Sequence, residues 1–348
     1  MGIDINDIAG ALDGAGRSRC QMNVRLFVGS VINSVAKEFS YGELREATKN
    51  FSRKLGEVSF GEVYEGNLMD AHMPKVAVKK LKLMPTPTQS LEEMRKDYIT
   101  EVMILGQLHH RNLVKLVGWC DGGGADRGAP LLVYEFMEKG SVDKRLHGMS
   151  DGGETLSWAQ RHGIVLGVGS AIEYLHTGYR SSVVLHRDIK PSDVMLDGEL
   201  EAKLGDFGLV REVDRRRGYL AGTRMRGSLD YIGPECCVAA GKATAASDMY
   251  SFGVLLLEVA TGKDPAVLRQ EKGAPYAPIH AVRESYGRGA VLEMADRRLN
   301  GDFDRPPMEQ VLLVGLMCAQ RDPGHRPDIR DGVIWLKNPD QSVPRIRV

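Results

Sequence analysis

The chain has 348 residues, 43% hydrophobic and 26% charged, and its 46 basic and 46 acidic side chains leave no formal net charge. That length suits two lobes of ordinary size, and that balance fills a core, which excludes a disordered chain. The absence of a basic excess excludes a dedicated nucleic-acid binder, but a nucleotide-phosphate site needs only a local set of donors and stays open.

In chain order, residues 1–37 show no sustained period and read as a loose tail. Asp4 and Asp7 stand where a leader peptide is basic. No apolar run reaches the ~18–20 residues that cross a bilayer, and the longest candidate, 26–35, is broken by Gly29, Ser30, Asn33 and Ser34. Order is expected from Phe39. Ser40 and Glu43 form a capping-box pattern, with Phe39 and Leu44 as its hydrophobic staple, opening a short helix through Ala47. Alternation and glycines over 54–83 predict a twisted antiparallel sheet. Met94, Tyr98, Val102 and Leu105 make a helical stripe within 91–108. Residues 113–119 and 131–136 read as strands, separated by a glycine loop at 122–124. Helices then dominate: one capped by Ser157 and Gln160 and running to Thr177, one over 249–259 ended by Gly262 and Pro265, one over 308–318. The five cysteines carry no CxxC spacing and predict free thiols in a reducing compartment.

The chemistry-bearing motifs gain meaning together. The stretch from Leu55 to Val63, with Gly56 and Gly61, is either a plain hairpin or a loop whose backbone N–H groups lie over phosphates. Lys79, after Val76-Ala77-Val78, is either a surface lysine or the holder of the α- and β-phosphates, fixed by an acidic partner for which Glu101 is placed. In His186-Arg187-Asp188-Ile189-Lys190-Pro191-Ser192-Asp193, an Asp can take a hydroxyl proton and a Lys two residues on can neutralise a moving phosphoryl group. Asp193, five residues beyond Asp188, is a metal-binding side chain. Asp206-Phe207-Gly208 adds a carboxylate for magnesium. Gly233-Pro234-Glu235, Asp248-Met249-Tyr250 and His325-Arg326-Pro327 follow in order.

With these motifs the chain resembles the protein kinase superfamily over residues 39–338. Phe39-Ser40-Tyr41-Gly42-Glu43-Leu44 and Leu132-Val133-Tyr134-Glu135-Phe136-Met137 look like plant receptor-like kinases, and Ser192 to Asp197 with Met308 to Cys318 look most like the L-type lectin group. The resemblance implies an α+β bilobal fold with a small antiparallel N-lobe and a mainly helical C-lobe. Its expected divisions are a tail at 1–38, lobes at 39–137 and 138–338, and a tail at 339–348. It implies ATP as a ligand, with Mg2+ or Mn2+, protein Ser/Thr substrates and a receptor or co-receptor kinase as partner. The location implied is cytoplasmic or at the inner face of the plasma membrane.

By motif, Lys79 pairs with Glu101, Asp188 is the catalytic base, Lys190 its phosphate-neutralising neighbour, and Asp206 with Asp193 the metal ligands. Leu55, Gly56, Gly61, Val63, Ala77, Lys79 and Met195 line ATP; Tyr134 is the gatekeeper and Glu135 to Met137 the adenine-binding hinge. Leu105, Leu116, His186 and Phe207 form a packing column. Glu235 with Arg326 and Asp248 are structural. Arg187 implies a phosphate clamp whose acceptor is Thr223, with Tyr219 second, in a segment made basic by Arg215, Arg216, Arg217, Arg224 and Arg226; a solvated basic loop is the alternative.

Four positions depart from the family pattern. Val58 replaces the middle glycine of the nucleotide loop and narrows its backbone choices. Asp193 replaces Asn, adding a charge beside Asp188 and Asp206 worth roughly 4 kcal/mol of repulsion at ~4 Å and an effective dielectric near 20. Ser228 and Asp230 replace Thr and Gly. The expectation is a slowed Ser/Thr kinase, and the alternative an ATP-binding pseudokinase serving as a scaffold or switch.

Overall fold

A computed structural model describes residues 36–58, 61–69, 74–82, 91–122, 128–148, 155–179, 182–216, 218–220, 227–237, 241–272, 277–344 and 346. They fall into two compact units, Met1–Gln107 with Lys115–Phe136, and Leu108–Val114 with Met137–Val348. The first is built on a β-sheet and the second is mainly helical, the α+β class expected.

The first unit holds β1 (Lys37–Glu38), α1 (Tyr41–Ala47), β2 (Lys54–Val58), β3 (Gly61–Asn67), β4 (Lys75–Leu81), α2 (Leu91–Leu105), β5 (Leu116–Cys120) and β6 (Leu131–Glu135). All six strands join one sheet in the order β1-β5-β6-β4-β3-β2. The strand at Lys37–Glu38 starts before the Phe39 boundary read from sequence. It pairs parallel with β5, and Phe39 N donates to Trp119 O (2.9 Å). The Phe39 ring lies where a side chain on Gly118 would stand, so only glycine admits it. The Ser40 capping box forms as expected: Glu43 N donates to Ser40 Oγ (3.2 Å) and Ser40 N to Glu43 Oε2 (2.7 Å).

Strand alternation gives this sheet two faces. Val76, Val78, Leu131 and Val133 point into one buried cluster with Phe39, Leu44, Leu68 and Cys120. Burial of each large aliphatic side chain there stabilises by about 1.5–3 kcal/mol. Val63, Ala77, Lys79, Leu132 and Tyr134 share the other face, with Val63 opposite Lys79 and Ala77 opposite Tyr134. In α2, Tyr98, Val102 and Leu105 are buried as the stripe predicts, and the Met94 side chain lies outside those described. The helix stops at Leu105, and the strand expected from 113 begins at Leu116. The reason is local: Leu113 bridges Leu204 and Val114 N donates to Leu204 O (2.9 Å), so this stretch packs with the second unit.

The second unit contains β7 (Gly140–Ser141), α3 (Val142–His147), α4 (Trp158–Glu173), β8 (Ser182–Leu185), β9 (Val194–Leu196), β10 (Ala202–Leu204), β11 (Arg211–Asp214), β12 (Tyr219–Leu220) and β13 (Ala243–Thr244). Five more helices follow: α5 (Ala245–Thr261), α6 (Pro265–Lys272), α7 (Ala277–Gly287), α8 (Arg305–Cys318) and α9 (Ile329–Lys337). The Ser157–Gln160 capping box opens α4. The helix does not reach Thr177 as a regular α-helix: from Tyr174 to Gly178 it widens into a π turn, and His176 in that turn reaches Asp248 (2.9 Å). Helix α5 is the core of the unit, buried from Ser247 through Thr261 and ended by Gly262 in a left-handed conformation (φ +64°). It meets α8 closely: a side chain on Gly253 would collide with the Gly315 carbonyl and Cys318. Part of the expected C-terminal tail is tied down, since Gln310 Nε2 donates to Gln341 O (3.0 Å) and Ile346 is buried. Among the described residues no helix is long and apolar enough to cross a membrane.

Candidate functional site

In the first unit, β4 carries Lys79 on the face opposite the hydrophobic cluster, which buries its ammonium against α2. Lys79 Nζ donates to Glu101 Oε1 (3.2 Å), and the two side chains are 4% and 3% exposed. Tyr134 OH donates to the same oxygen (2.6 Å). Ala77, Val63 and Tyr134 share this face with Lys79. Glu135, expected in the hinge that hydrogen-bonds adenine, accepts with its side chain from Lys115 N (Oε1, 2.8 Å).

Leu55, Gly56 and Val58 lie on β2, with Val58 opposite Gly61. Ser59 and Phe60 fall outside the described residues. This hairpin carries a charge network. Lys54 Nζ reaches Glu57 (3.1 Å) and Glu62 (2.7 Å), and Lys82 Nζ reaches Glu57 (2.5 Å). The Lys54 hydrogen bond, helped by Tyr64, pushes the Glu62 carboxyl down to about 2.

In the second unit, residues 186–193 link β8 to β9 and are hung from α5. His186 N (2.9 Å) and Arg187 N (2.8 Å) donate to the two oxygens of Asp248, and His176 donates to it as well. Burial raises the Asp248 carboxyl, but the donors from His176 and His186 outweigh it and the net shift is downward. His186 Nε2 donates to Gly205 O (3.0 Å), which leaves Nδ1 to accept from Asp188 N (3.4 Å). The His186 ring meets Phe207 edge-on at 5.2 Å. Leu105 and Leu116, the other residues of the expected column, are buried in the first unit. Arg187 (φ +74°) and Asp206 (φ +52°) adopt the left-handed region, which strains a non-glycine residue and clusters at functional sites.

Asp188 is gripped on both oxygens. Ser228 N donates to Oδ1 (2.9 Å), and the Lys190 ammonium closes tightly on Oδ2. Lys190 also lies 3.2 Å from Asp193 Oδ2. Burial, then the charge of Asp206, raise the Asp193 carboxyl well above the ordinary range, although Lys190 opposes them. Asp193 Oδ2 is buried and has no hydrogen-bond donor in proper geometry. A buried, under-satisfied carboxylate oxygen that feels the charge of a second carboxylate suits a divalent cation. Among the described residues no cluster of three His, Cys, Asp or Glu forms a protein-only cage. Asp193 and Asp206 thus have the chemistry to hold a divalent cation that also takes oxygen ligands from elsewhere.

The other expected residues are also located. Arg326 forks onto Glu235 (2.6 and 2.7 Å), with its side chain fully buried and that of Glu235 only partly. Arg187 Nη1 donates to Leu209 O (3.0 Å). Met195 sits on β9, half-buried, opposite Ser141 and Lys203. Met137 accepts from Gly140 N (3.2 Å). Tyr219 lies under the Lys242 ammonium (4.3 Å). Arg215 donates to Thr177 O and Ser182 O, pinned rather than free to repel. Thr223, Arg217, Arg224 and Arg226 lie outside the described residues.

Three features escaped the sequence reading. Tyr231 OH (2.5 Å) and His147 Nε2 (2.7 Å) both donate to Glu258, whose carboxyl burial nonetheless raises. Asp143 Oδ1 on α3 is buried without a donor. Asp230 pairs with Arg269. No local pattern announces the contacts to Glu258 and Asp230, because each joins residues from separate elements.

Residues 49–333 match the model of a family described as protein tyrosine and serine/threonine kinase. The chain is similar to the L-type lectin-domain containing receptor kinase IX.1 of Arabidopsis thaliana, 40% identical over 314 residues, covering 89% of this chain and 46% of that one. It is similar to the L-type lectin-domain containing receptor kinase SIT1 of Oryza sativa subsp. japonica, 41% identical over 310 residues (88% and 43%). A third, the probable L-type lectin-domain containing receptor kinase S.7 of Arabidopsis thaliana, is 39% identical over 311 residues (88% and 44%). The chain thus spans less than half the length of these relatives.

Proposed function

The chain belongs to the protein tyrosine and serine/threonine kinase family, and on that premise we propose that it transfers the γ-phosphoryl group of ATP to Ser or Thr hydroxyls of proteins. The observation that carries this reading is the Asp188 carboxylate, oriented by the Ser228 amide and by Lys190 on a loop anchored to Asp248. The substrate hydroxyl gives its proton to Asp188 as its oxygen bonds to the γ-phosphorus; the bond from that phosphorus to the bridging oxygen breaks and ADP leaves. Lys190 neutralises the phosphoryl group in passage, and its place two residues after Asp188 favours Ser/Thr over Tyr. Lys79, steadied by Glu101, holds the α- and β-phosphates. Leu55, Gly56, Gly61, Val63, Ala77, Tyr134, Glu135, Met137 and Met195 line the nucleotide. Bound to Asp206 and Asp193, Mg2+ or Mn2+ would supply charge stabilisation for the phosphates. Most of the acceleration comes from positioning and electrostatics.

Val58 and Asp193 slow this reaction without removing Lys79, Asp188 or Asp206. We assign residues 39–137 and 138–338 to the two lobes, and residues 1–38 and 339–348 to the two tails. Thr223 is the proposed phosphate acceptor for Arg187. A receptor or co-receptor kinase is the proposed partner, at the cytoplasmic face of the plasma membrane or in the cytoplasm. The buried, raised Asp193 favours the second reading, an ATP-binding pseudokinase. Incubation with radiolabelled ATP under Mg2+ and under Mn2+ separates the two. Label on the protein or a Ser/Thr substrate supports the kinase; saturable nucleotide binding in a thermal-shift titration without label supports the pseudokinase. Absence of binding under both metals defeats both.

A further inference from the structure

The turn at 227–235 carries Ser228 and Asp230, where the resemblance to kinases implies Thr and Gly. Because Ser228 N donates to Asp188 Oδ1 (2.9 Å), a polypeptide that brings its hydroxyl to Asp188 must lie against this turn. Most of the turn is held from α5 and Arg326. Ser251 Oγ donates to Tyr231 O (2.7 Å), Tyr231 OH to Glu258 (2.5 Å), and Arg326 grips Glu235. Asp230 is held differently, by Arg269 of α6. Nε donates to Oδ1 (2.7 Å) and Nη2 to Oδ2 (3.2 Å). Such a fork occupies both carboxylate oxygens and fixes their plane. The Asp230 side chain is 10% exposed and that of Arg269 37%, so the pair sits at the rim. Beside it, Leu229 is 48% exposed. The turn therefore presents an apolar side chain next to an acid whose charge is already matched.

We infer that Arg269 sets the substrate preference of this turn: by neutralising Asp230 it makes the turn favour an apolar residue beside the acceptor hydroxyl, where a bare Asp230 would select a basic one. The inference rests on the kinase reading. Its physics is electrostatic complementarity. An unmatched carboxylate at a half-buried rim attracts Lys or Arg, repels acids and loses hydration beside an apolar side chain, whereas a matched one leaves the choice to Leu229. A glycine at 230 would give neither effect, so the device belongs to the Asp230–Arg269 combination. Arg269 acts through Asp230 and is a specificity residue, not a catalytic one.

The test uses the full chain and two synthetic peptides with a single serine, followed by leucine in one and by arginine in the other. The parent should have the lower KM for the leucine peptide. Arg269→Ala should raise that KM roughly three- to fivefold, lower the KM for the arginine peptide, and leave the KM for ATP in place. Adding Asp230→Asn to Arg269→Ala should erase the gain for arginine, and Arg269→Lys should restore part of the parent's ratio. A purely structural role would raise both peptide KM values together. An unchanged ratio in Arg269→Ala, or equal changes for the two peptides, overturns the inference. If the parent transfers phosphate to nothing, the kinase reading fails separately. Fluorescein-labelled forms of the same peptides then report the ratio by anisotropy without turnover, and an unchanged binding ratio overturns the inference there too.

Discussion

Each unit sets a lysine among acids, and the two sites balance charge differently. In the first, Lys79 meets Glu101, and Tyr134 adds a neutral donor to the same oxygen. The ammonium and the carboxylate are paired directly. In the second, Lys190 serves both Asp188 and Asp193, with the charge of Asp206 also felt at Asp193. Burial pulls the Lys190 ammonium down, and Asp193 and Asp188 more than reverse it. One cation faces three acids. Buried charges persist when they are paired and hydrogen-bonded. The first site shows a direct ion pair, while the second gathers acids around Lys190 in the way a site for metal and phosphate chemistry requires.

The largest expected effect lies in the second site. Asp188→Asn should lower phosphoryl transfer by about 10²–10⁴-fold with nucleotide affinity near the parent's, measured with labelled ATP. A variant at the parent's rate would remove Asp188 from the role of base. The next tests how much the first site depends on its ion pair. Glu101→Gln removes the buried carboxylate paired with Lys79 and should destabilise the fold by about 3–5 kcal/mol in denaturant unfolding. A loss near zero would mean that Lys79 finds another anion.

Asp193→Asn probes the opposite imbalance. Removing a buried, under-satisfied oxygen should stabilise the metal-free protein by about 1–3 kcal/mol and raise the transfer rate, most at low magnesium. A less stable variant would show that Lys190 needs Asp193 more than Asp193 needs a cation. The smallest effect is Tyr134→Phe, which removes one hydroxyl from Glu101 while leaving the ion pair. It should reduce stability by about 0.5–1.5 kcal/mol, and a larger loss would make the tyrosine a structural partner equal to Lys79.

Much of this was legible in the sequence, for reasons that differ by residue. Ser40–Glu43 and Ser157–Gln160 are local capping signals whose partners lie three residues apart, so spacing alone states them. The ordered motifs around Lys79, Asp188, Asp206 and Asp248 are long-range, yet their joint order carries the family likeness. The strand at Lys37–Glu38 was not legible, because two residues have no period and are ordered by Trp119 and Gly118 far along the chain. Nor was the bond from Tyr134 to Glu101, or Arg269 on Asp230, since neither partner signals the other by type or spacing. The stretch at 113–114 read as strand from its apolar residues, but the hydrogen bonds go to Leu204.

The π turn at Tyr174–Gly178 bears on which changes in chain length this fold tolerates. An α-helix advances about 100° per residue, so deleting one residue there would let the backbone relax into an ordinary α-helix with every hydrogen bond made. By helicity such a variant would look unharmed. The phase of the helix end would shift, however, and His176 would swing off Asp248, which also holds the His186 and Arg187 amides. A lesion of that kind would leave circular dichroism silent while loosening the loop that carries Asp188, so a survey of natural or engineered deletions should find this turn intolerant although its neighbours on α4 accept substitution.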